Sequence, residues 1–215
     1  MSGNPEISNY LTDVYHDWQN SRNAFPINVY PEHYWPIPFF GNPGTALVAT
    51  VGVNPSSDEF NPRRGWNAVK SKRDWEARLV NYFHSKTPPH QWFELWRKDL
   101  KLLDVSHQAG TAVHLDVSYR PTTAMIVNRK TDPKEFRRMV ELDIAWFFRL
   151  LPLCPRLRGL LTFGPVIRAN GCPESLAGFV RKSAPRHGFT VLPDGGLSHA
   201  SNERPPRGYF LHEVA

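Results

Sequence analysis

Thr45-Ala-Leu-Val-Ala-Thr-Val-Gly-Val-Asn-Pro-Ser-Ser57 decides the fold class of this chain. Its apolar, β-branched first part predicts a strand, and Gly52-Val-Asn-Pro55 ends that strand at a turn. Gly52 permits close backbone approach, while Pro55 fixes φ and withholds a donor, so Asn54 becomes the last strand residue before the loop. In open α/β sheets ligands sit outside the carboxyl ends of the strands, which makes Asn54 a site candidate by position. The competing reading is that Asn-Pro only initiates a turn.

Outward from this strand, helical and extended patterns alternate. Leu11, Val14, Tyr15 and Trp18 lie at helical spacing and predict a first helix over residues 7–23. Residues 1–43 as a whole read as that helix followed by a cover segment rich in prolines and aromatic rings. Residues 67–103 read as two helices broken at Thr87-Pro-Pro89, and basic residues cluster at Arg63, Arg64, Lys70, Lys72 and Arg73. A second strand is predicted over 111–118, ending at Tyr119-Arg-Pro-Thr122. A helix with Asp132 as N-cap and Pro133 at its start follows, reaching Leu151. A third strand at 159–163, a helix around Ser175 to Val180, a fourth strand at 189–192 and a Gly/Ser/Pro-rich tail loop complete the order. Four strands alternating with helices predict an α/β fold, a three-layer α/β/α sandwich on a central, mainly parallel four-stranded sheet.

Composition narrows the function classes. A chain of 215 residues is expected to form a single domain, 1–215, with a core that needs no staples. Hydrophobic residues at 40% and aromatics at 13% exclude a disordered chain. A net charge of +6 and a pI near 9.5 suit a polyanionic partner. Cys154 and Cys172, far apart and without companions, build neither a disulfide framework nor a thiolate metal site. The expected home is a reducing cytoplasm, with no membrane span, no metal and no cofactor, and the expected state is a monomer. Neither a P-loop nor a dinucleotide fingerprint is present, which disfavours phosphoryl and hydride transfer.

Three pieces of the chain resemble the uracil-DNA glycosylase superfamily, in the order that family has them. Gly52-Val-Asn-Pro55 resembles the first catalytic motif in its mismatch-specific and single-strand-selective form. Leu197-Ser-His-Ala-Ser-Asn202 resembles a degraded His-Pro-Ser second motif, with Ala200 where the family has Pro. The strand ending in Arg120-Pro-Thr122 resembles the segment that shapes the base pocket in the mismatch-specific branch. The resemblance implies a DNA glycosylase-like hydrolase that flips a damaged, deaminated or modified base from DNA into a pocket and hydrolyses its N-glycosidic bond, without metal.

By the same resemblance Asn54 holds water through its side-chain carbonyl and His199 stabilises the departing base anion. An amide removes no proton at neutral pH, so the implied mechanism is dissociative, with water captured by an oxocarbenium-like sugar. Gly52, Val53, Pro55, Ser118, Ser201 and Asn202 would contact the base, and Phe60 or Trp66 would supply an aromatic face, unless those rings only anchor the loop. Ser56, Arg63, Arg64, Arg120 and Arg204 would meet the nucleic-acid backbone. Asn202-Glu-Arg-Pro-Pro206 offers no apolar wedge to fill a vacated stack.

His199 has a second reading as a solvated or capping side chain. On the predicted second strand, Ala112, His114, Asp116 and Ser118 share one face. An Asp116 in the pocket would accept from an amino group or ring N–H and repel a carbonyl, which argues against plain uracil; the alternative is that it pairs with His114 or caps a turn. Two other function classes stay open: a noncatalytic nucleic-acid binding module on the same fold, and a hydrolase of free nucleosides.

Overall fold

The computed structural model describes residues 5–21, 24–25, 34–60, 66–122, 133–163, 174–199 and 207–214. Among them the helices are α1 (Pro5–Ser21), α2 (Lys72–Val80), α3 (Arg97–Leu102), α4 (Pro133–Leu150) and α5 (Leu176–Ser183). The strands are β1 (Phe39–Phe40), β2 (Val48–Gly52), β3 (Ala112–Asp116), β4 (Gly159–Phe163), β5 (Phe189–Val191), β6 (Leu197–His199) and β7 (Arg207–Val214). The fold is α/β on a mixed sheet of seven strands, ordered β1-β3-β2-β4-β7-β6-β5.

The four inner strands β3, β2, β4 and β7 run parallel, and β1, β6 and β5 join antiparallel at the two edges. Two sequence expectations are corrected here. The sheet has seven strands rather than four, and its fourth parallel strand is β7, which lies in the stretch read as a tail loop. The predicted fourth strand is β5, an antiparallel edge strand whose middle and last residues are exposed. The cover segment is also more than a cover, because Phe39 and Phe40 pair with Leu115 and His114.

Local chemistry explains the helices. Ile7, Tyr10, Leu11, Val14 and Trp18 form the buried stripe of α1 at three- and four-residue spacing. Ser71 and Ser175 cap α2 and α5 by accepting from Asp74 N and Gly178 N. The predicted second helix of the 67–103 stretch is mostly a 3-10 segment, Gln91–Trp96, that passes into the short α3.

Period two assigns the two faces of the sheet. Val48, Thr50 and Gly52 share one face with Ala112, His114 and Asp116 through their register pairs. On that face Trp96 and Leu100 cluster with Ala112 and Leu161. Ala49, Val51, Val113 and Leu115 on the other face belong to a larger core with α1, α4 and α5. No helix among the described residues is long and apolar enough to cross a membrane.

Candidate active site

Asn54 stands just past the carboxyl end of β2, and its amide is held from three directions. Nδ2 donates to Pro55 O at 3.1 Å, to Arg120 O at 3.2 Å and to Thr122 Oγ1 at 2.9 Å. Turning the amide over would set Oδ1 against two carbonyl oxygens, so these contacts fix which end faces away. Oδ1 is left buried with no hydrogen-bond partner among the described residues. A buried acceptor without a donor costs about 1–3 kcal/mol, which marks it as a place for a ligand's donor.

Two of the three segments singled out in the sequence therefore meet. The turn after β2 and the Arg120-Pro-Thr122 segment are joined through Asn54, through a parallel bridge between Ser56 and Thr122, and through Thr122 N donating to Pro55 O at 3.3 Å. Ser56 also caps the 3-10 turn Ser57–Phe60, its Oγ accepting from Asp58 N at 3.2 Å. Pro55 is buried, and Val53 belongs to the core cluster.

Gly52 faces Asp116 across the β2–β3 pair. A Cβ added at Gly52 would lie 2.6 Å from Asp116 Oδ1 and 2.9 Å from His114 Nε2. The glycine is required because two buried polar side chains cross its Cα. Asp116 Oδ1 meets His114 Nε2 at 3.4 Å, His114 Nδ1 meets Thr50 Oγ1 at 2.9 Å, and Thr50 Oγ1 meets His107 Nε2 at 3.2 Å. Asp116 Oδ2, at the outer end of this chain, has no partner among the described residues. Burial raises the Asp116 pKa above the ordinary carboxylate range, against the opposing pull of His114. At the inner end burial pushes His107 down to about 3, with His114 adding to the shift, so the ring is neutral at neutral pH.

Aromatic rings close in beside these groups. Trp66 is buried, packs against Phe60 at 5.4 Å between centroids and lies under the Arg78 guanidinium at 5.7 Å. Its Nε1 is buried without a partner among the described residues. Phe60 is half-buried and meets Tyr34 edge-on at 4.3 Å. Phe40 and Trp92 flank His114 at 6.1 and 4.8 Å.

Several expected site residues lie elsewhere. Ser118 does not share a face with Asp116. Val117 N and Ser118 N donate in succession to Gly52 O and Val53 O, which breaks the alternation, and Ser118 Oγ turns to Asp143 Oδ2 at 2.6 Å. Arg120 is no phosphate contact: 3% exposed, it reaches Asp143 Oδ2 at 2.9 Å and Asp17 Oδ2 at 3.2 Å, bracing β3 against α4 and α1. Burial outweighs this guanidinium at Asp143, whose pKa is held up at about 6.

The convergence of His199 with Asn54 is overturned by the strand register. His199 pairs with Arg207, three residues before Phe210, which aligns through Gly159 with Val48. Asn54 lies six residues beyond Val48, so the two side chains are separated by roughly 30 Å of strand and by three strand spacings. His199 sits at the amino end of the parallel strands, half-buried, 4.6 Å from the Phe189 ring. Arg63, Arg64, Ser201, Asn202 and Arg204 lie outside the described residues.

Sequence reasoning missed Thr50, His107 and Glu59. Period two through Gly52 and His114 was enough to place Thr50, but nothing local distinguishes His107 or marks Glu59, which is buried and accepts from Tyr82 OH at 2.7 Å. No group of three or more His, Cys, Asp or Glu among the described residues is placed to hold a metal ion. No protein-family model and no curated protein matches the chain.

Proposed function

We propose that this chain is a DNA glycosylase-like hydrolase of N-glycosidic bonds, with the water held by Asn54 and without a role for His199. One observation carries the reading: an amide whose Nδ2 has three acceptors and whose Oδ1 is a buried, unpartnered acceptor at the carboxyl end of a parallel strand. Such an oxygen accepts from water and orients its lone pair without removing the proton, which suits capture by an oxocarbenium-like sugar. The Gly52-Val-Asn-Pro55 resemblance gives the same role to the same atom. Phe60, half-buried and six residues after Asn54, is the ring left to stack on a flipped base, and the +6 charge suits DNA. A three-layer sandwich around the four parallel strands, the architecture the resemblance implies, accords with helices on both faces.

The test is release of bases from oligonucleotides carrying uracil, hypoxanthine, xanthine or hydroxymethyluracil, read as strand breaks after alkali. Breaks that disappear in Asn54→Ala support the hydrolase; breaks that persist unchanged sink it. The position of His199 favours a second reading, a binding module on this fold without hydrolysis. That reading predicts salt-dependent DNA binding and no breaks with any base.

A further inference from the structure

Among the described residues three acids are buried, and only one of them leaves an oxygen bare. Asp143 is met by Arg120 and Ser118, and Glu59 accepts from Tyr82. Asp116, 4% exposed, has His114 on Oδ1 and nothing on Oδ2. Its Oδ1 lies against the Cα of Gly52, two residues before Asn54, so the carboxyl stands about one strand repeat, on the order of 7 Å, from the Asn54 backbone. With His199 at the other end of the sheet, a base leaving from Asn54's side needs a different group to take up its charge.

We propose that Asp116 is that group, which rests on the hydrolase reading above: it is the general acid, Oδ2–H protonates the departing base, and the preferred substrates are bases that leave poorly as anions, purines and amino-pyrimidines, rather than uracil. As the C1′–N bond breaks, its electron pair moves into the base ring, and an acceptor atom of the ring takes the proton from Oδ2. The sugar cation takes the water held at Asn54 Oδ1. The proton that this water loses returns the Asp116 carboxylate to its acid form, and the products are an abasic sugar and a neutral free base. His114 steadies the acid through Nε2, and the missing Cβ of Gly52 leaves the carboxyl its space.

The surroundings keep the proton available. Burial disfavours the carboxylate, and His114 is the titratable group that acts on Asp116. His107 stands behind Thr50 and is neutral. The rings that reach His114 from neighbouring elements, Phe40, Trp92 and Phe93, carry no charge.

The experiment compares full-length wild type, Asp116→Asn and Asn54→Ala in single-turnover release of hypoxanthine and of 5-fluorouracil, a base that departs readily as an anion, from pH 5 to 8. Asp116→Asn should slow hypoxanthine release about 10²–10⁴-fold and abolish its decline with rising pH, while 5-fluorouracil slows by less than about tenfold. Equal loss on both bases indicates a structural role and overturns the proposal. Full hypoxanthine activity in Asp116→Asn beside a dead Asn54→Ala also overturns it, but leaves the hydrolase reading standing. No release by wild type, or an unaffected Asn54→Ala, overturns both. If Asp116→Asn does not fold, wild type decides: 3-deaza or 7-deaza hypoxanthine, lacking one ring acceptor, should be released at least about tenfold more slowly, and equal rates for both analogues overturn the acid.

Discussion

Gly52→Ala is the smallest change that probes how the site is built. The new methyl would meet Asp116 Oδ1 at 2.6 Å, His114 Nε2 at 2.9 Å and His114 Cε1 at 3.0 Å, and both side chains are buried. Neither is a flexible surface group that can swing away, since His114 is tied to Thr50 and boxed in by Trp92 and Phe93. Overpacking of this kind costs about 1–3 kcal/mol. For a domain of this length that corresponds to a fall in Tm of roughly 2–12 °C. Thermal and urea unfolding measure the cost, and a double-mutant cycle assigns it. In a background carrying His114→Ala and Asp116→Ala the clash has no partner, so adding Gly52→Ala should cost less than about 0.5 kcal/mol. An equal penalty in both backgrounds would refute the claim that the glycine exists to admit these two side chains.

The other predictions follow from the same network. Asn54→Asp replaces a donor with an oxygen facing Pro55 O and Arg120 O, so the new carboxyl should titrate well above 4; a raised folded pKa makes the variant's stability deficit grow as pH rises through it, seen as a Tm gap wider at pH 8 than at pH 4. His107, held at about 3, contributes stability present above the unfolded histidine pKa of about 6.5 and lost on acidification: about 2 kcal/mol by pH 5 and about 5 kcal/mol in full below pH 3, and His107→Gln should flatten that part of the acid-unfolding curve. Arg120→Met leaves Asp143 buried without its cation, so stability should fall by about 3–5 kcal/mol in urea titrations, while the salt dependence of the proposed DNA binding should keep its slope; a slope reduced by about one would restore Arg120 to the phosphate backbone.

What could be read from the sequence, and what could not, divides along local and long-range physics. The strand ending at Gly52-Val-Asn-Pro55, the second strand and α4 were legible because apolar runs, a proline at a helix start and a turn dipeptide act within a few residues. β7 was not. Its Tyr209 and Leu211 alternate with the exposed Phe210, a short pattern after a proline-rich stretch, and only its pairing with β4 makes it a strand of the parallel set. That error misplaced His199, because a motif placed after the fourth strand belongs at the carboxyl end only if that strand is parallel to β2. Ser118 failed for a smaller reason: β3 ends at Asp116, and the alternation that would join Ser118 to it does not continue past that end. Asn54 was singled out by position at a strand's end; the structure places it just past β2 and adds what fixes its amide. Asp116 was left with two readings, and the structure gives one oxygen to each: Oδ1 to His114, Oδ2 to nothing among the described residues.

Asn54 and His199 lie at opposite ends of the sheet, and the proposed hydrolysis belongs to the Asn54 end. Single-turnover release from the oligonucleotide panel, measured side by side for Asn54→Ala and His199→Ala, tests this directly. The expected result is a loss of at least about 10²-fold for Asn54→Ala and a wild-type rate for His199→Ala. Release that survives the first substitution and disappears with the second would contradict it.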